Sequence, residues 1–278
     1  MTHLSLGAWL SDLDRDALAR IIANRPETRL PRPAATLTEL VTRLSRRPAL
    51  LTALYTAPTP AAQVVEMVAA LDEGPAAPVA RIATGFGVAP DDADLAAVLD
   101  WLADRALAWR DGPTLCVPPV LLDAFPFPHR LGPPLEYAYG ALSGRDLHVF
   151  ADAWQVDAGK PKRDVLGALL AAAEDGGPVR ALLAHAPEPV RELLNHVAWQ
   201  GPAVVENGYP HAVARPEVGW AVHHGLLVRE AWDSAVMPAE IAVALRGPGW
   251  RPPFDPHPPA VRTAPVADEL LRRESAAA

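Results

Sequence analysis

Lysine is almost absent from this chain of 278 residues, since only Lys160 and Lys162 stand among its 25 lysines and arginines. Cysteine is rarer still, and a single residue, Cys116, cannot close an internal disulfide. No run approaches the roughly 18 consecutive apolar residues of a membrane-spanning helix, because Asp, Glu, Arg or Pro interrupts every alanine-rich stretch. The first residues do not form the basic-then-apolar pattern of a signal peptide. We therefore expect a cytoplasmic protein with no membrane contact.

Motifs that bind nucleotides or metals are also missing. The nucleotide-binding P-loop is not formed, because Lys160 follows Gly159 but precedes Pro161 instead of Ser or Thr. Glu192 and His196 have the four-residue spacing of helical metal ligands but no companion cluster of similar residues. We therefore expect a non-catalytic protein that holds no cofactor and no metal.

The composition limits how the chain can bind a polyanion. Half of the residues are apolar, enough for one large core or for two or three small ones. The net charge of -8 argues against a protein whose whole surface binds nucleic acid. Any such contact must therefore be confined to a local basic patch.

Apolar residues at helical spacing divide the first half of the chain into helices. Thr36 opens one of them, with Glu39 three positions further on as in a capping box. The predicted helices are 14–24, 37–46, 60–72, 79–85 and 91–104, and the predicted hairpin strands are 106–110 and 114–117. Three helices followed by a hairpin are typical of a winged helix. We predict an N-terminal helical segment at 1–47 and a winged-helix-like domain at 48–127.

The second half repeats this order loosely after a Pro-rich linker at 125–134. Three helices and a hairpin again predict a winged-helix-like domain, at 178–250, and a Pro-rich tail with a short helix follows at 251–278. A loop rich in Gly, Pro and Asn separates the second and third helices of that domain. The predicted helices are 179–185, 189–199, 214–224, 238–245 and 265–274, and the predicted strands are 226–230 and 234–237.

The two lysines lie between two apolar stretches with helical spacing, which predicts a helical hairpin at 137–175 with a basic turn. Two strings there resemble the SAP motif, a helix-turn-helix of DNA-binding proteins: Leu142-Ser143-x-x-Asp146-Leu147 and Gly159-Lys160-x-Lys162-x-Asp164-Val165-Leu166. The resemblance implies contact with DNA phosphates that does not read bases. The predicted DNA-backbone site consists of Arg145, Lys160, Lys162 and Arg163. The alternative is a solvated turn in which Gly159 ends the first helix.

Several short strings share a resemblance to one protein family. The most specific is Pro238-x-Glu240-Ile241-Ala242-x-x-Leu245-Arg246-Gly247. The others are Leu6-x-x-Trp9-Leu10, Asp16-Ala17-Leu18-Ala19, Arg25-Pro26, Leu99-x-x-Leu102-x-x-Arg105-Ala106-Leu107-Ala108-Trp109 and Gly225-Leu226-Leu227-Val228. Together they resemble the amino-terminal region of actinobacterial helicase-associated domain proteins, which carry an XPB-type helicase amino-terminal module. The resemblance spans nearly the whole chain and implies winged-helix architecture and a link to DNA transactions. Members of the family are longer, so we expect the helicase-type module to be absent, as in a short paralogue or a fragment.

Charge argues against DNA reading by the winged-helix-like domains themselves. The predicted recognition helix at 91–104 carries five aspartates and no cation before Arg105, so repulsion by phosphates should outweigh any base contact. The second domain offers only Arg215, His223 and His224 on its corresponding helix. Arg43, Arg46 and Arg47 form another basic cluster, which a helix C-terminus explains, although backbone contact stays open.

We predict a mainly α fold of tandem winged-helix-like units with short β-hairpin wings, flanking a SAP-like helix-turn-helix. The predicted function is that of a helicase-associated accessory protein that contacts the DNA backbone weakly and without base specificity. The candidate partners are double-stranded DNA and a helicase or a transcription protein. The alternative is a protein–protein interaction module, a transcription or repair scaffold that uses its winged-helix domains without DNA contact.

Overall fold

The computed structural model of the chain describes residues 4–71, 74–205, 215–231 and 233–257. Over these residues the fold is mainly helical, with small antiparallel sheets. The helices are α1 (Leu6–Ser11), α2 (Arg15–Asn24), α3 (Leu37–Leu44), α4 (Arg47–Tyr55), α5 (Thr59–Ala70), α6 (Val79–Phe86), α7 (Ala93–Ala103), α8 (Pro119–Leu122), α9 (Leu135–Gly140), α10 (Gly144–Ala153), α11 (Lys162–Asp175), α12 (Gly177–Ala184), α13 (Glu188–Gln200), α14 (Pro216–His223) and α15 (Ala239–Arg246). The strands are β1 (Ala76–Pro78), β2 (Trp109–Asp111), β3 (Thr114–Cys116), β4 (Ala203–Val205), β5 (Val228–Ala231) and β6 (Ser234–Val236), and short 3-10 helices cover Pro26–Arg29 and Pro128–Arg130.

Two predicted features fall outside the described residues. They are the part of the Gly-, Pro- and Asn-rich loop at 206–214 and the helix at 265–274. Among the described helices, none combines the length and the apolar character needed to cross a lipid bilayer.

Side-chain caps explain where several helices begin. Asp14 accepts a hydrogen bond from the amide of Ala17 (2.7 Å), so α2 starts where the sequence predicts. Thr36 caps α3 in the same way through the amide of Glu39 (3.2 Å). The capping box predicted there is only half formed, because the Glu39 carboxylate accepts from the amide of Ala35 (2.9 Å) rather than from that of Thr36.

Two three-stranded sheets follow a similar order of elements. In the first, α5, β1, α6, α7, β2 and β3 succeed one another, and β3 lies between β1 and β2. In the second, α13, β4, α14, β5 and β6 succeed one another, and β6 lies between β4 and β5. Both predicted hairpins are present, β2 with β3 and β5 with β6. Each sheet gains a strand that the sequence does not predict, with Ala77 opposite Leu115 in one and Val204 opposite Ala235 in the other.

Two hydrophobic clusters lie on opposite faces of the first sheet. On one face α1, α2 and α3 pack on Trp109, whose ring stacks on Trp9 at 6.0 Å and whose indole donates to the Leu4 carbonyl (2.8 Å). On the other face Ala77 and Leu115 join the cluster formed by α4 to α8. The predicted N-terminal segment at 1–47 is thus part of the packing of the first sheet.

The buried residues of a third cluster lie between Leu135 and Ala244 in the sequence. In it the Tyr139 hydroxyl donates to the Gly225 carbonyl (2.6 Å), which ties α9 to the second sheet region. Side chains from the predicted hairpin at 137–175 and from the predicted domain that follows it therefore share one core. The boundary between those two regions stays a prediction.

The Pro-rich linker at 125–134 is held from both sides. The amide of His129 donates to the carboxylate of Glu66 in α5 (2.6 Å). From the other side, the guanidinium of Arg246 in α15 donates to the carbonyls of His129 (3.0 Å) and Arg130 (3.2 Å). The linker is therefore a fixed joint between the two halves.

The described part of the Pro-rich tail, residues 251–257, crosses the first half of the molecule. It forms neither helix nor strand, as the density of prolines predicts. The ring of Phe254 stacks on Phe86 in α6 at 4.8 Å. Gln63 in α5 holds Asp255 by two hydrogen bonds, one to its amide (2.9 Å) and one to its carboxylate (2.8 Å). This segment therefore covers α5 and α6.

Candidate nucleic-acid interface

The four predicted DNA-binding cations gather where two helices begin. A Cβ added to Gly144, the first residue of α10, would lie 3.7 Å from the Cβ of Lys162, the first residue of α11. The Lys162 ammonium donates to the carbonyl of Gly140 at the end of α9 (2.8 Å). Arg145 and Arg163 are the second residues of α10 and α11. The surface formed by Arg145, Lys160, Lys162 and Arg163 is called the basic corner below.

The predicted turn is a longer loop that returns the chain to the start of α10. α10 ends at Ala153, where Gln155 takes up a left-handed conformation (φ 55°). The Trp154 indole next to it donates to the carbonyl of His224 (2.8 Å) and fixes this end of the helix. Gly159 therefore does not end the first helix, and the alternative prediction for that glycine is wrong.

The cations of the basic corner face solvent. All four side chains are exposed. Within the described ranges, none of them forms an ion pair with a carboxylate. The starts of α10 and α11 add the partial positive charge of helix N-termini at the same place, although the Ser143 hydroxyl accepts from the amide of Asp146 and the Pro161 carbonyl accepts from that of Asp164. An anion approaching this corner therefore meets four full charges and two helix dipoles.

Nearby carboxylates limit the strength of this corner. Residues 143–164 contain four aspartates, as many as the cations of the basic corner. The Asp146 carboxylate is engaged locally, because it accepts from the hydroxyl of Ser143 (2.7 Å) in a capping box. Asp164 lies beneath Gly159, at 3.0 Å from a Cβ added there. The four cations and four aspartates of residues 143–164 therefore balance, and positive charge is in excess only at the basic corner itself.

The acidic helix α7 is obstructed as well as repulsive. At its C-terminal end Asp104 pairs with Arg20 of α2 (3.1 Å). At its N-terminal end Asp94 lies 3.4 Å from His257, in the segment 251–257. Both ends of the predicted recognition helix are thus in contact with other elements. A DNA duplex would have to displace them as well as overcome the repulsion by the aspartates.

The corresponding helix of the second half, α14, adds little positive charge. Arg215 at its start donates to the carboxylate of Glu217 (2.7 Å). The His224 ring at its end stacks on Trp220 at 3.8 Å. These residues are engaged within the fold, and the basic corner remains the better candidate for phosphate contact.

The cluster of Arg43, Arg46 and Arg47 is dispersed by the fold. Arg43 is buried and donates to the carboxylate of Glu39 (2.6 Å). Arg47 points away from it and lies 3.6 Å from the carboxylate of Asp123. Arg46 is exposed and forms no ion pair within the described part of the chain. These three side chains do not form a common phosphate-binding surface.

Titratable side chains do not assemble into a metal site within the described residues. Burial raises the pKa of the Cys116 thiol in β3, with Asp111 adding to the shift. Burial also lowers the pKa of His129, and neither nitrogen of its ring has a hydrogen-bond partner among the described residues. The absence of catalysis stays a prediction.

The sequence does not predict a cavity of about 650 Å³ that lies between the N-terminal helices and α7. It lies among α2, α4 and the end of α7, and Arg46 and Arg105 are part of its lining. The only available signal was the local run of arginines in which Arg46 stands, because the walls come from segments far apart along the chain.

Comparison with protein-family models, curated proteins and solved structures finds no match to this chain. The resemblance to helicase-associated domain proteins therefore stays a prediction, as does the SAP-like character of α10 and α11.

Proposed function

We propose that this protein is a non-catalytic accessory factor of DNA metabolism in the cytoplasm, and that its basic corner contacts the phosphate backbone of double-stranded DNA. The observation that supports the proposal is the meeting of four exposed cations with two helix N-termini. Backbone amides at helix starts and basic side chains both favour phosphate. The net charge of the chain as a whole is -8.

The same geometry supports contact without base reading. The cations lie at the N-terminal ends of α10 and α11, so they do not line a helix face that could enter a major groove. Up to four phosphates can be neutralised, so a plot of the logarithm of the binding constant against the logarithm of the salt concentration should have a slope of about -3.6. The neighbouring aspartates should keep the affinity low.

The order of elements supports winged-helix architecture for the two predicted domains. In the first, one helix, a strand, two helices and a hairpin succeed one another, with the first strand beside the hairpin. In the second, a helix, a strand, a helix and a hairpin succeed one another, and residues 206–214 between β4 and α14 lie outside the described residues. We propose that both units serve as scaffolds that present α10 and α11.

The direct test is titration of a labelled mixed-sequence duplex at low salt, followed by fluorescence anisotropy. Alanine at Lys160, Lys162 and Arg163 should weaken binding by about tenfold or more and reduce the salt slope by about 2.7, since three phosphate contacts are lost. The matched control replaces Arg15, Arg29 and Arg110, three exposed arginines on other elements. That variant removes the same charge and should keep the salt slope of the wild type.

Two outcomes would contradict the DNA proposal. Equal binding by the wild type and the basic-corner variant would remove the proposed site. Absence of binding by the wild type would favour the second candidate, a protein–protein interaction module. The observation that favours this module is the pair of exposed carboxylates at α7, Asp91 and Asp100, which repel DNA but suit a basic protein partner. Affinity capture that returns the same partner proteins after nuclease treatment would support it.

A further inference from the structure

The cavity beside α4 has the size and chemistry of a small-molecule site. Its volume of about 650 Å³ lies within the range of roughly 300–1,000 Å³ that ligand pockets occupy. One wall is a face of α4 made of small side chains, including Ala49 and Ala53 one turn apart. The opposite walls carry four arginines, Arg25, Arg43, Arg46 and Arg105, and a single carboxylate lines the cavity.

Two of these arginines are committed to the fold. Arg25 uses its guanidinium on the Glu27 carboxylate and on the carbonyls of Arg105 (2.7 Å) and Leu44 (3.3 Å). Arg43 donates to three backbone carbonyls and to the carboxylate of its neighbour in α3. Each is thus matched by one carboxylate. Arg25 and Arg43 therefore form the floor of the cavity and do not serve as ligand-binding groups.

The other two arginines keep donors available. Arg46 is exposed at the rim. The Arg105 guanidinium stacks on the Trp101 ring, 3.8 Å from its centroid, and makes one hydrogen bond, to the Trp101 carbonyl (3.3 Å). Neither arginine forms an ion pair within the described residues. A stacked guanidinium keeps the edge that binds a carboxylate or a phosphate through two parallel hydrogen bonds.

Electrostatics favour an anion in this cavity. The lining holds four arginines and one carboxylate, and Glu39, which pairs with Arg43, is shared with Arg32, so positive charge is in excess at the cavity. Burial lowers the pKa of Arg105, although Asp104 beside it opposes the shift. Burial removes hydration water that stabilises the charged guanidinium, and a bound anion would stabilise that charge instead.

We propose that the cavity binds a small organic anion through Arg46 and Arg105, which hold its carboxylate or phosphate group. The carbon body of the ligand then lies against Ala49, Ala53 and Trp101. The cavity and the basic corner belong to different halves of the molecule, so their ligands are separable by experiment.

The test is isothermal titration calorimetry of the full chain with three probes: inorganic phosphate, adenosine monophosphate and citrate. At least one should bind with one-to-one stoichiometry. Preference for the nucleotide over citrate assigns a phosphate ligand, and the reverse assigns a carboxylate ligand. Arg46→Ala and Arg105→Ala should each weaken binding of that probe by about tenfold to a hundredfold, because a charge-assisted hydrogen bond is lost.

The matched control is Arg47→Ala, next to Arg46 in sequence but paired with Asp123 outside the cavity. It removes the same charge and should leave the affinity unchanged. Arg46 is exposed, so its variant tests the site even if Arg105→Ala does not fold. The proposal is overturned if no probe binds the wild type, if Arg46→Ala binds as tightly as the wild type, or if Arg47→Ala loses as much affinity.

Discussion

Arginine and lysine have different positions in this molecule. Arg25 is almost fully buried and spans the carbonyls of Arg105 and Leu44, while Arg43 and Arg246 each donate to three backbone carbonyls. A guanidinium has five donors in a planar fork, and a compact ammonium cannot reach such separated acceptors. The two lysines are exposed at the basic corner. We expect lysine replacements of the buried arginines to be destabilising although they keep the charge.

His129 gives the stability of the joint a dependence on pH. Burial lowers its pKa from the ordinary 6.5, the nearby Glu66 carboxylate opposes the shift, and Arg246 adds to it. The unfolded chain therefore binds more protons than the fold at pH values below 6.5, so stability falls as the pH falls through that window. His129→Asn removes the titration and tolerates the left-handed backbone (φ 54°). Urea unfolding at pH 7 and at about pH 5.5 should show a smaller loss of stability in the variant than in the wild type.

An exposed histidine supplies the control for this measurement. His185 stands exposed at the end of α12, where its ring forms a hydrogen bond with the carbonyl of Ala181 one turn earlier (2.8 Å). His185→Asn should keep the pH dependence of the wild type. If His129→Asn loses as much stability as the wild type on acidification, the pH dependence originates elsewhere, for instance in the carboxylates.

Among the elements, we expect the segment 251–257 to stabilise the helices that it crosses. Phe254 is partly buried and stacks on Phe86, and its replacement by alanine leaves the apolar surface of α6 open. We expect Phe254→Ala to lower the free energy of unfolding by about 1–3 kcal/mol, less than for a fully buried phenylalanine. Hydrogen exchange of the Asp255 amide, which donates to Gln63 (2.9 Å), should become faster at the same time.

Tyr137→Ala is the matched control for Phe254→Ala. Tyr137 is 79% exposed, so the loss of its ring should change stability by less than about 0.5 kcal/mol. Unchanged stability and unchanged hydrogen exchange in Phe254→Ala would mean that the segment lies on α6 without stabilising it.

Local signals explain which elements the sequence predicts. Helices with an apolar stripe and a cap, such as α2 after Asp14, depend on neighbouring residues and were within reach. β1 and β4 were not, because three residues are too few for an alternating pattern and their partners are far along the chain. The same reason hides the arginine cavity and the docking of Phe254. The cations of the basic corner could be predicted because they lie close together in sequence. Their position at two helix starts could not, because it depends on the path of the loop after Gln155, which brings the start of α11 back to the start of α10.

For the molecule as a whole, we expect the joint between the halves to couple their unfolding. Gly132 in the joint lies against the second half, where an added Cβ would stand 2.0 Å from the carbonyl oxygen of Met237. A backbone acceptor cannot give way as a flexible side chain can, so Gly132→Ala must shift the joint itself. We expect it to lower the free energy of unfolding by about 1–3 kcal/mol.

The effect on coupling is the sharper observation. If the joint couples the stability of the two halves, the amides of β3 and β6 exchange at similar rates in the wild type, because both exchange through one global unfolding. In Gly132→Ala the two exchange rates should differ, because each half then unfolds alone. Gly167→Ala is the control, because Gly167 occupies an exposed position of α11 and a Cβ added there meets nothing within 4 Å. It should raise the free energy of unfolding by about 0.5–1 kcal/mol, since alanine has the higher helix propensity. Similar exchange rates for β3 and β6 in all three proteins would show that the joint connects the halves without coupling their stability, because the strain introduced at Gly132 would then be absorbed locally.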